Sequence, residues 1–237
     1  MQKNESSQPT NSLWTAFRDG IQHGVYRIID APVRGMVKMG ATPNMMTTVG
    51  LLGNLAAAGL IVMAAYATTV AMFMGFAPAY TLLGWAGGVM LFFSIFDMVD
   101  GYMARTAHLE SRFGAFYDSV LDRYCELAVL AALAFYFMLL QQHAFALATF
   151  LALIGSIMVS YIRARAEALG CECKVGLMQR PERVVVTSVG LLLTGLLQDA
   201  VRDSFDPIWF TAVPMILIAI LANGTAIARI LHVRKQL

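Results

Sequence analysis

The sequence predicts an all-α integral membrane protein with six transmembrane helices preceded by an N-terminal amphipathic interfacial helix. Hydrophobic residues make up 58% of the chain, charged residues only 14%, and the mean hydropathy is +0.65, well outside the range of ordinary soluble domains. Six apolar stretches have about the 20 residues that a helix needs to cross a bilayer. They cover residues 46–67, 80–104, 114–140, 144–168, 182–198 and 207–231. Runs of this length exclude a transmembrane barrel, whose strands have about 9–11 residues.

The chain before the first stretch divides into two parts. Residues 1–12 are polar, lack the basic start and apolar run of a signal peptide, and are predicted to be disordered. In residues 13–41 apolar side chains recur at helical spacing, which predicts an amphipathic helix on the membrane surface, interrupted at Pro32. The recurring positions are Leu13, Phe17, Ile21, Val25 and Ile28.

The transmembrane domain is predicted to cover residues 42–237. Thr42 is expected to cap the first spanning helix, with Pro43 at its first position. All but one of the 17 Lys and Arg residues lie at the termini or in and beside the second and fourth connections between spans, and Arg202 is the exception. Because positive residues are retained in the cytoplasm, both termini and the second connection are predicted to be cytoplasmic.

The three cysteines carry little functional information. Cys171 and Cys173 form a C-x-C pair in the fourth connection, and Cys125 lies in the third span. Cytoplasmic thiols are expected to be reduced, and a C-x-C pair without further Cys or His nearby is a poor zinc motif.

Four aspartates stand out because acids near a membrane are costly and mark functional sites. Asp97 and Asp100 are three residues apart at the end of the second span, and Asp118 and Asp122 are four apart at the start of the third. Each pair therefore shares one helix face. The connection, roughly 106–113, is short enough to bring both faces together.

Four converging carboxylates need protonation or cations to relieve their repulsion. Mg²⁺ prefers carboxylate oxygens together with substrate phosphates, and two such ions would balance four negative charges. A metal pair of this kind suits phosphoryl transfer. Gly101 and Gly114 leave room for a phosphate or a neighbouring backbone, and Arg105 offers a donor fork to a phosphate.

These residues resemble a complete family signature. The spacing Asp97-x2-Asp100-Gly101-x2-Ala104-Arg105-x8-Gly114-x3-Asp118-x3-Asp122 is similar at every position to that of the CDP-alcohol phosphotransferases. The resemblance implies six membrane helices after an amphipathic helix, a prokaryotic plasma-membrane location, a homodimer and no nucleic-acid partner. It also implies Mg²⁺-dependent transfer from a CDP-linked lipid to an alcohol with release of CMP.

The resemblance also implies roles for individual residues. Two Mg²⁺ ions, with Mn²⁺ as the alternative, would be bound by Asp97, Asp100, Asp118 and Asp122, and Asp122 would also be the general base. The CDP-lipid would be bound by Asn44, Met45, Met46, Thr47, Gly101, Arg105, Ser111 and Gly114. An attacking hydroxyl must lose its proton, so a carboxylate in this position is chemically reasonable.

The fourth connection is expected to select the acceptor. Arg163 and Arg165 end the fourth span, and Arg180 and Arg183 open the fifth. Inward guanidinium groups would indicate an acceptor that carries phosphate, although the positive-inside rule and snorkelling also account for arginines here.

The segments SYIRARAEALG and RPERVVV are similar to the corresponding segments of the phosphatidylinositol phosphate synthases, the prokaryotic branch of the family. This resemblance implies CDP-diacylglycerol as donor and inositol phosphate as acceptor. Glycerol 3-phosphate, free inositol and serine remain as alternative acceptors. A metal or cation transporter and a catalytically silent scaffold are the alternatives from other functional classes, but acids bunched at one membrane face do not favour a transport path.

Overall fold

The computed structural model describes residues 30–78, 80–173 and 175–237, and in that part of the chain every regular element is a helix. The prediction of an all-α protein is confirmed. The helices are α1 (30–38), α2 (Pro43–Phe73), α3 (Thr81–Thr106), α4 (Arg112–Leu139), α5 (His143–Ala168), α6 (Arg180–Leu196), α7 (Gln198–Val201) and α8 (Trp209–Arg234).

Local sequence sets the starts of the two helices that matter most for the site. The Thr42 hydroxyl accepts a hydrogen bond from the Met45 backbone N–H at 3.4 Å, and Pro43 occupies the first turn of α2, so the predicted cap is confirmed. Ser111 caps α4 in the same way and accepts from Gly114 N–H at 2.9 Å. Such caps satisfy N–H groups that have no partner within the helix.

Six long helices pack in a closed ring. Going round it, α2 packs on α3, α3 on α6, α6 on α8, α8 on α5, α5 on α4, and α4 on α2. Side chains such as Ile61, Leu133, Leu191 and Met215 fill the centre and are fully buried. The starts of α2, α4 and α6 and the ends of α3, α5 and α8 lie at the same end of the ring, so α2 and α4 pack parallel, as do α5 and α8, and the other neighbours run antiparallel.

Small residues allow the helices to approach closely. A Cβ atom on Gly84 of α3 would lie 2.9 Å from the Cα atom of Gly195 in α6. Gly155 of α5 plays the same role, because its Cβ would lie 2.7 Å from the Asn223 side chain of α8. Gly155 therefore allows α5 and α8 to approach closely within the subunit.

Four of the helices, α2, α3, α5 and α8, are long and apolar enough to cross a membrane. With their exposed apolar outer surfaces, they indicate a multi-pass membrane protein. The predicted count of six spans includes α4 and α6 as well, whose ends agree with the predicted stretches to within a few residues. Their acidic and basic side chains make them less apolar than the other four.

The predicted interfacial helix falls mainly on residues outside the described part, as does the predicted disordered segment 1–12. The described portion, α1, includes Pro32 and packs Val33 against Val99 and Met103. Tyr102 donates a hydrogen bond to Asp30 at 2.7 Å. This bond and a second from Arg34 hold the pKa of Asp30 below its ordinary value. The start of α1 is thus fixed near the end of α3.

Candidate active site

The four aspartates meet where α3 ends and α4 begins. Asp97 and Asp100 lie in the last three turns of α3, and Asp118 and Asp122 lie in the first three turns of α4. Asp118 is close enough to Asp97 and Asp100 for their charges to interact, and Asp122 is close enough to Asp97. The structure therefore brings together the two carboxylate pairs that the sequence predicts.

A guanidinium lies between two of these carboxylates. Arg180, at the start of α6, places Nη1 3.0 Å from Asp97 Oδ2 and Nη2 2.8 Å from Asp122 Oδ1. All three side chains are at least four-fifths buried. Arg180 was predicted to contact the acceptor, and the structure places it directly against the acids.

The donor set fits hard divalent cations, which take carboxylate oxygens. Thr47 supports this set by donating a hydrogen bond to Asp100 Oδ2 at 2.7 Å, and a Cβ atom on Gly50 would lie 3.1 Å from Asp97 Oδ1. In the described ranges no three acidic, Cys or His side chains stand at metal-binding spacing. Asp97 and Asp122 are instead paired with the Arg180 guanidinium.

A cavity of about 240 Å³ opens beside the acids, between the start of α2, the end of α3 and the start of α4. Six of the eight residues predicted to bind the CDP-lipid line it, together with Asp100 and Asp118. The six are Asn44, Thr47, Gly101, Arg105, Ser111 and Gly114. The structure thus joins the predicted nucleotide contacts to the carboxylates in one site.

Met45 and Met46 are the two predicted contacts that lie elsewhere. Met45 is 53% exposed on the outer surface, and Met46 is buried against Val99 and Met103. The reason is the helical turn: Asn44 and Thr47 are three residues apart and share a face, whereas the residues between them point away. The motif assigned residues 44–47 together to CDP-lipid binding, but only Asn44 and Thr47 face the cavity.

Glycine at position 114 is required by space. A Cβ atom there would lie 2.9 Å from Ser111 Oγ and 3.2 Å from Asn44 Oδ1. At Gly101 a Cβ would meet only the Arg105 guanidinium, at an ordinary 3.5 Å. Gly114 therefore permits close packing of α4 on α2, whereas Gly101 keeps the cavity open.

The remaining predicted acceptor arginines are dispersed. Arg163 is about half exposed and pairs with Glu167 at 2.8 Å on the same helix, and Arg165 is exposed. Arg183 is 2% exposed, because its guanidinium is bonded to both carboxylate oxygens of Glu126, at 2.5 and 2.9 Å, and to the Met178 carbonyl at 2.9 Å. Of the four, only Arg180 reaches the carboxylates.

Sequence reasoning missed two charged residues. Glu126 lies one turn after Asp122 on the same helix face, and this spacing could have identified it. Arg229 of α8 was counted only as a cytoplasmic positive charge. It is buried and donates to the carbonyls of Val159 and Val175, at 2.5 and 2.8 Å, and so ties α5 and the fourth connection to α8. No sequence signal distinguishes it from a surface arginine.

Comparison with known proteins identifies the family. The family model described as CDP-alcohol phosphatidyltransferase matches residues 40–223, which include α2 to α6, α7 and most of α8. The chain belongs to the CDP-alcohol phosphatidyltransferase family. It is therefore an enzyme, a transferase of phospholipid biosynthesis, and the predicted enzyme class is confirmed over the transporter and scaffold alternatives.

Curated relatives within this family have similar names. The phosphatidylinositol phosphate synthase of Corynebacterium glutamicum is 33% identical over 171 residues, which is 71% of each chain. That of Mycobacterium tuberculosis is 34% identical over 165 residues, 69% of each chain. An archaetidylinositol phosphate synthase of Methanothermobacter thermautotrophicus is 36% identical over 142 residues, 60% of this chain and 65% of its own.

Solved structures agree with the fold. The crystal structure of the Mycobacterium tuberculosis phosphatidylinositol phosphate synthase with CDP-DAG bound superposes with a TM-score of 0.71 at 30% identity and covers 87% of this chain and 94% of its own. The same protein in complex with manganese and citrate gives a TM-score of 0.71 at 29% identity, over 86% and 88% of the two chains.

Proposed function

We propose that this enzyme transfers the phosphatidyl group from CDP-diacylglycerol to inositol phosphate, forming phosphatidylinositol phosphate and releasing CMP. The single observation that carries the proposal is the cavity beside the four aspartates, lined by the residues of the family signature. The names of the relatives and the CDP-DAG complex of one of them support the donor and the product.

Asp97, Asp100, Asp118 and Asp122 are proposed to hold two Mg²⁺ ions, with Mn²⁺ as an alternative in view of the manganese-bound relative. When bound, such ions shield phosphate oxygens and offset charge on the departing CMP. Asn44, Thr47, Gly101, Arg105, Ser111 and Gly114 are assigned to the CDP group. Met45 and Met46 are left out of this assignment because neither lines the cavity.

Asp122 is proposed as the general base. The acceptor hydroxyl oxygen forms a bond to the lipid-bearing phosphorus, the bond from that phosphorus to the CMP oxygen breaks, and the hydroxyl proton passes to a carboxylate oxygen of Asp122. Arg163, Arg165 and Arg180 are proposed to bind the acceptor phosphate, because guanidinium groups suit phosphate recognition. Arg183, which is buried and bonded to Glu126 and Met178, is assigned a positioning role.

The membrane arrangement is also a proposal. With a rise of about 1.5 Å per residue, the 28 residues of α4 and the 17 of α6 extend roughly 42 and 26 Å, against a hydrocarbon thickness of about 30 Å. Both complete the helix ring, which supports six spans. The distribution of Lys and Arg supports cytoplasmic termini and a cytoplasmic active site in a prokaryotic plasma membrane. The interfacial N-terminal helix and a homodimer complete the proposed organisation.

The test is a CMP-release assay with purified full-length protein, CDP-diacylglycerol, Mg²⁺ and a panel of acceptors: inositol phosphate, glycerol 3-phosphate, free inositol and serine. We expect inositol phosphate to give the highest kcat/KM. Turnover with free inositol or serine but not with inositol phosphate would overturn the acceptor assignment. CMP release with none of the four would overturn the proposed reaction.

A further inference from the structure

Arg180 connects two helices that carry the proposed metal ligands. Its two terminal nitrogens lie 3.0 and 2.8 Å from carboxylate oxygens of Asp97 in α3 and Asp122 in α4. Divalent cations such as Mg²⁺ and Mn²⁺ also bind through carboxylate oxygens. A positive guanidinium and a positive metal ion therefore compete for the same two carboxylates.

The position of Arg180 leaves one of its own donors unsatisfied. A guanidinium has five N–H groups, and the Nε atom of Arg180 is buried without a hydrogen-bond partner among the described residues. A buried donor with no acceptor is unfavourable. The side chain is thus held by the charges of Asp97 and Asp122 and not by a complete set of hydrogen bonds.

The helix that carries Arg180 is firmly anchored. Arg183, one turn later, is bonded to both oxygens of Glu126 and to the Met178 carbonyl. Glu182 closes a capping box by accepting from Gln179 N–H at 2.7 Å. Release of Arg180 from the acids therefore needs only rotation of its own side chain, with the start of α6 held in place.

We propose that Arg180 couples the metal site to the acceptor site. When divalent cations bind Asp97 and Asp122, they repel the guanidinium and release it to bind the acceptor phosphate. This inference rests on the proposed function, which assigns the metal ligands and a phosphorylated acceptor. It makes metal binding a precondition for tight acceptor binding and, because linkage is reciprocal, makes acceptor phosphate strengthen metal binding.

The first test measures the Kd for Mn²⁺ of the purified full-length protein in the absence of substrate. The EPR signal of free Mn²⁺ reports how much of the ion remains unbound. Arg180→Gln removes the competing cation, so we expect it to tighten Mn²⁺ binding about tenfold, within the usual range of coupling between sites. Arg234→Gln removes the same charge from an exposed position at the end of α8 and should leave the Kd at the wild-type value.

Arg180→Lys provides a second variant that keeps the charge. A single ammonium lacks the planar fork that spans two carboxylates. We therefore expect Arg180→Lys to tighten Mn²⁺ binding relative to the wild-type protein and to Arg234→Gln, but less than Arg180→Gln does. Wild-type or weaker Mn²⁺ affinity in both Arg180 variants would overturn the proposal.

The second test measures inositol phosphate binding by calorimetry with and without Mn²⁺. In the wild-type protein we expect Mn²⁺ to tighten binding by at least about tenfold, and in Arg180→Gln by less than about threefold, since direct attraction by the metal remains. An equal effect of Mn²⁺ in both proteins would overturn the coupling.

Failure of this inference can be separated from failure of the proposed function. Neither binding measurement uses CDP-diacylglycerol or turnover. CMP release with inositol phosphate in a protein without coupling would contradict only the role of Arg180. No CMP release in a protein that shows Mn²⁺ competition would contradict only the proposed reaction.

Discussion

The site has two unlike halves. The donor half consists of the ends of α2, α3 and α4, where polar side chains face a common cavity of about 240 Å³. The proposed acceptor half consists of the end of α5, the start of α6 and the end of α8. There the arginines are bonded to protein groups: Arg163 to Glu167, Arg183 to Glu126, and Arg229 to two carbonyls.

This difference separates residues that meet a ligand from residues that hold the site in shape. A buried arginine that is bonded to protein groups, such as Arg183, is not accessible to a phosphate, whatever its position in a motif. Arg180 belongs to both halves, because it opens the acceptor helix α6 yet pairs with Asp97 and Asp122. The variants below compare the two halves, from the largest expected effect to the smallest.

Asp122→Asn should have the largest effect. The amide keeps the shape of the side chain but cannot accept the hydroxyl proton, and general-base catalysis contributes about 10²- to 10⁴-fold. We expect kcat for CMP release to fall by at least about 100-fold. Asp199→Asn, an exposed acid in α7 at the other end of the bundle, is the matched control and should keep wild-type activity. Near-normal turnover in Asp122→Asn would contradict the general-base role.

The donor half could be predicted from the sequence because its information is local. Asp97, Asp100, Asp118 and Asp122 lie on two consecutive helices joined by a short connection, so helical periodicity alone brings them together. Helix starts were equally local, as Thr42 shows. Helical periodicity also places Met45 on a different face from Asn44 and Thr47. The assignment of Met45 to the CDP-lipid site followed the motif and did not take the helix face into account.

The acceptor half could not be predicted in the same way, because its contacts are long-range. Arg183 and Glu126 are 57 positions apart, and Arg229 and Val159 are 70 apart. Which arginine meets a ligand depends on the order of helices around the ring, for example α3 beside α6 through Gly84 and Gly195. Hydropathy gives the helices but not their neighbours.

Arg183→Met should destabilise the protein more than any change in the exposed ion pairs. It leaves Glu126 as a buried, uncompensated charge, and breaking such a pair costs about 3–5 kcal/mol. We expect this loss in the free energy of unfolding, measured by denaturant titration in detergent. Adding Glu126→Gln should recover part of it. Arg34→Met removes a pair whose arginine is 75% exposed and should cost less than about 1 kcal/mol. Similar losses in the two single variants would contradict a structural role for Arg183.

Thr47→Val tests the support of the donor half. The change keeps the side-chain shape but removes the 2.7 Å hydrogen bond to Asp100. Groups that orient a metal ligand typically contribute about 10- to 100-fold to metal affinity, so we expect the Kd for Mn²⁺ to rise within that range. Thr48→Val is the matched control, because Thr48 is the next residue of α2 and bonds to Tyr117 at 3.0 Å. The Kd for Mn²⁺ of this variant should equal that of the wild-type protein. Equal effects at both positions would show that Thr47 acts only through helix stability.

Arg163→Gln should have the smallest effect and decides whether the exposed arginines belong to the acceptor site. Its pair with Glu167 is about half exposed, so stability should change by less than about 1 kcal/mol. If Arg163 also contacts the acceptor phosphate, KM for inositol phosphate should rise about fivefold, the equivalent of ~1 kcal/mol, with KM for CDP-diacylglycerol unchanged. Arg234→Gln removes the same charge at the same end of the helix ring and should alter neither constant. An unchanged KM for inositol phosphate in Arg163→Gln would contradict a contact between Arg163 and the acceptor phosphate. The residue would then contribute only as one of the positive charges that set the orientation of the protein in the membrane, and phosphate recognition would be confined to arginines nearer the carboxylates.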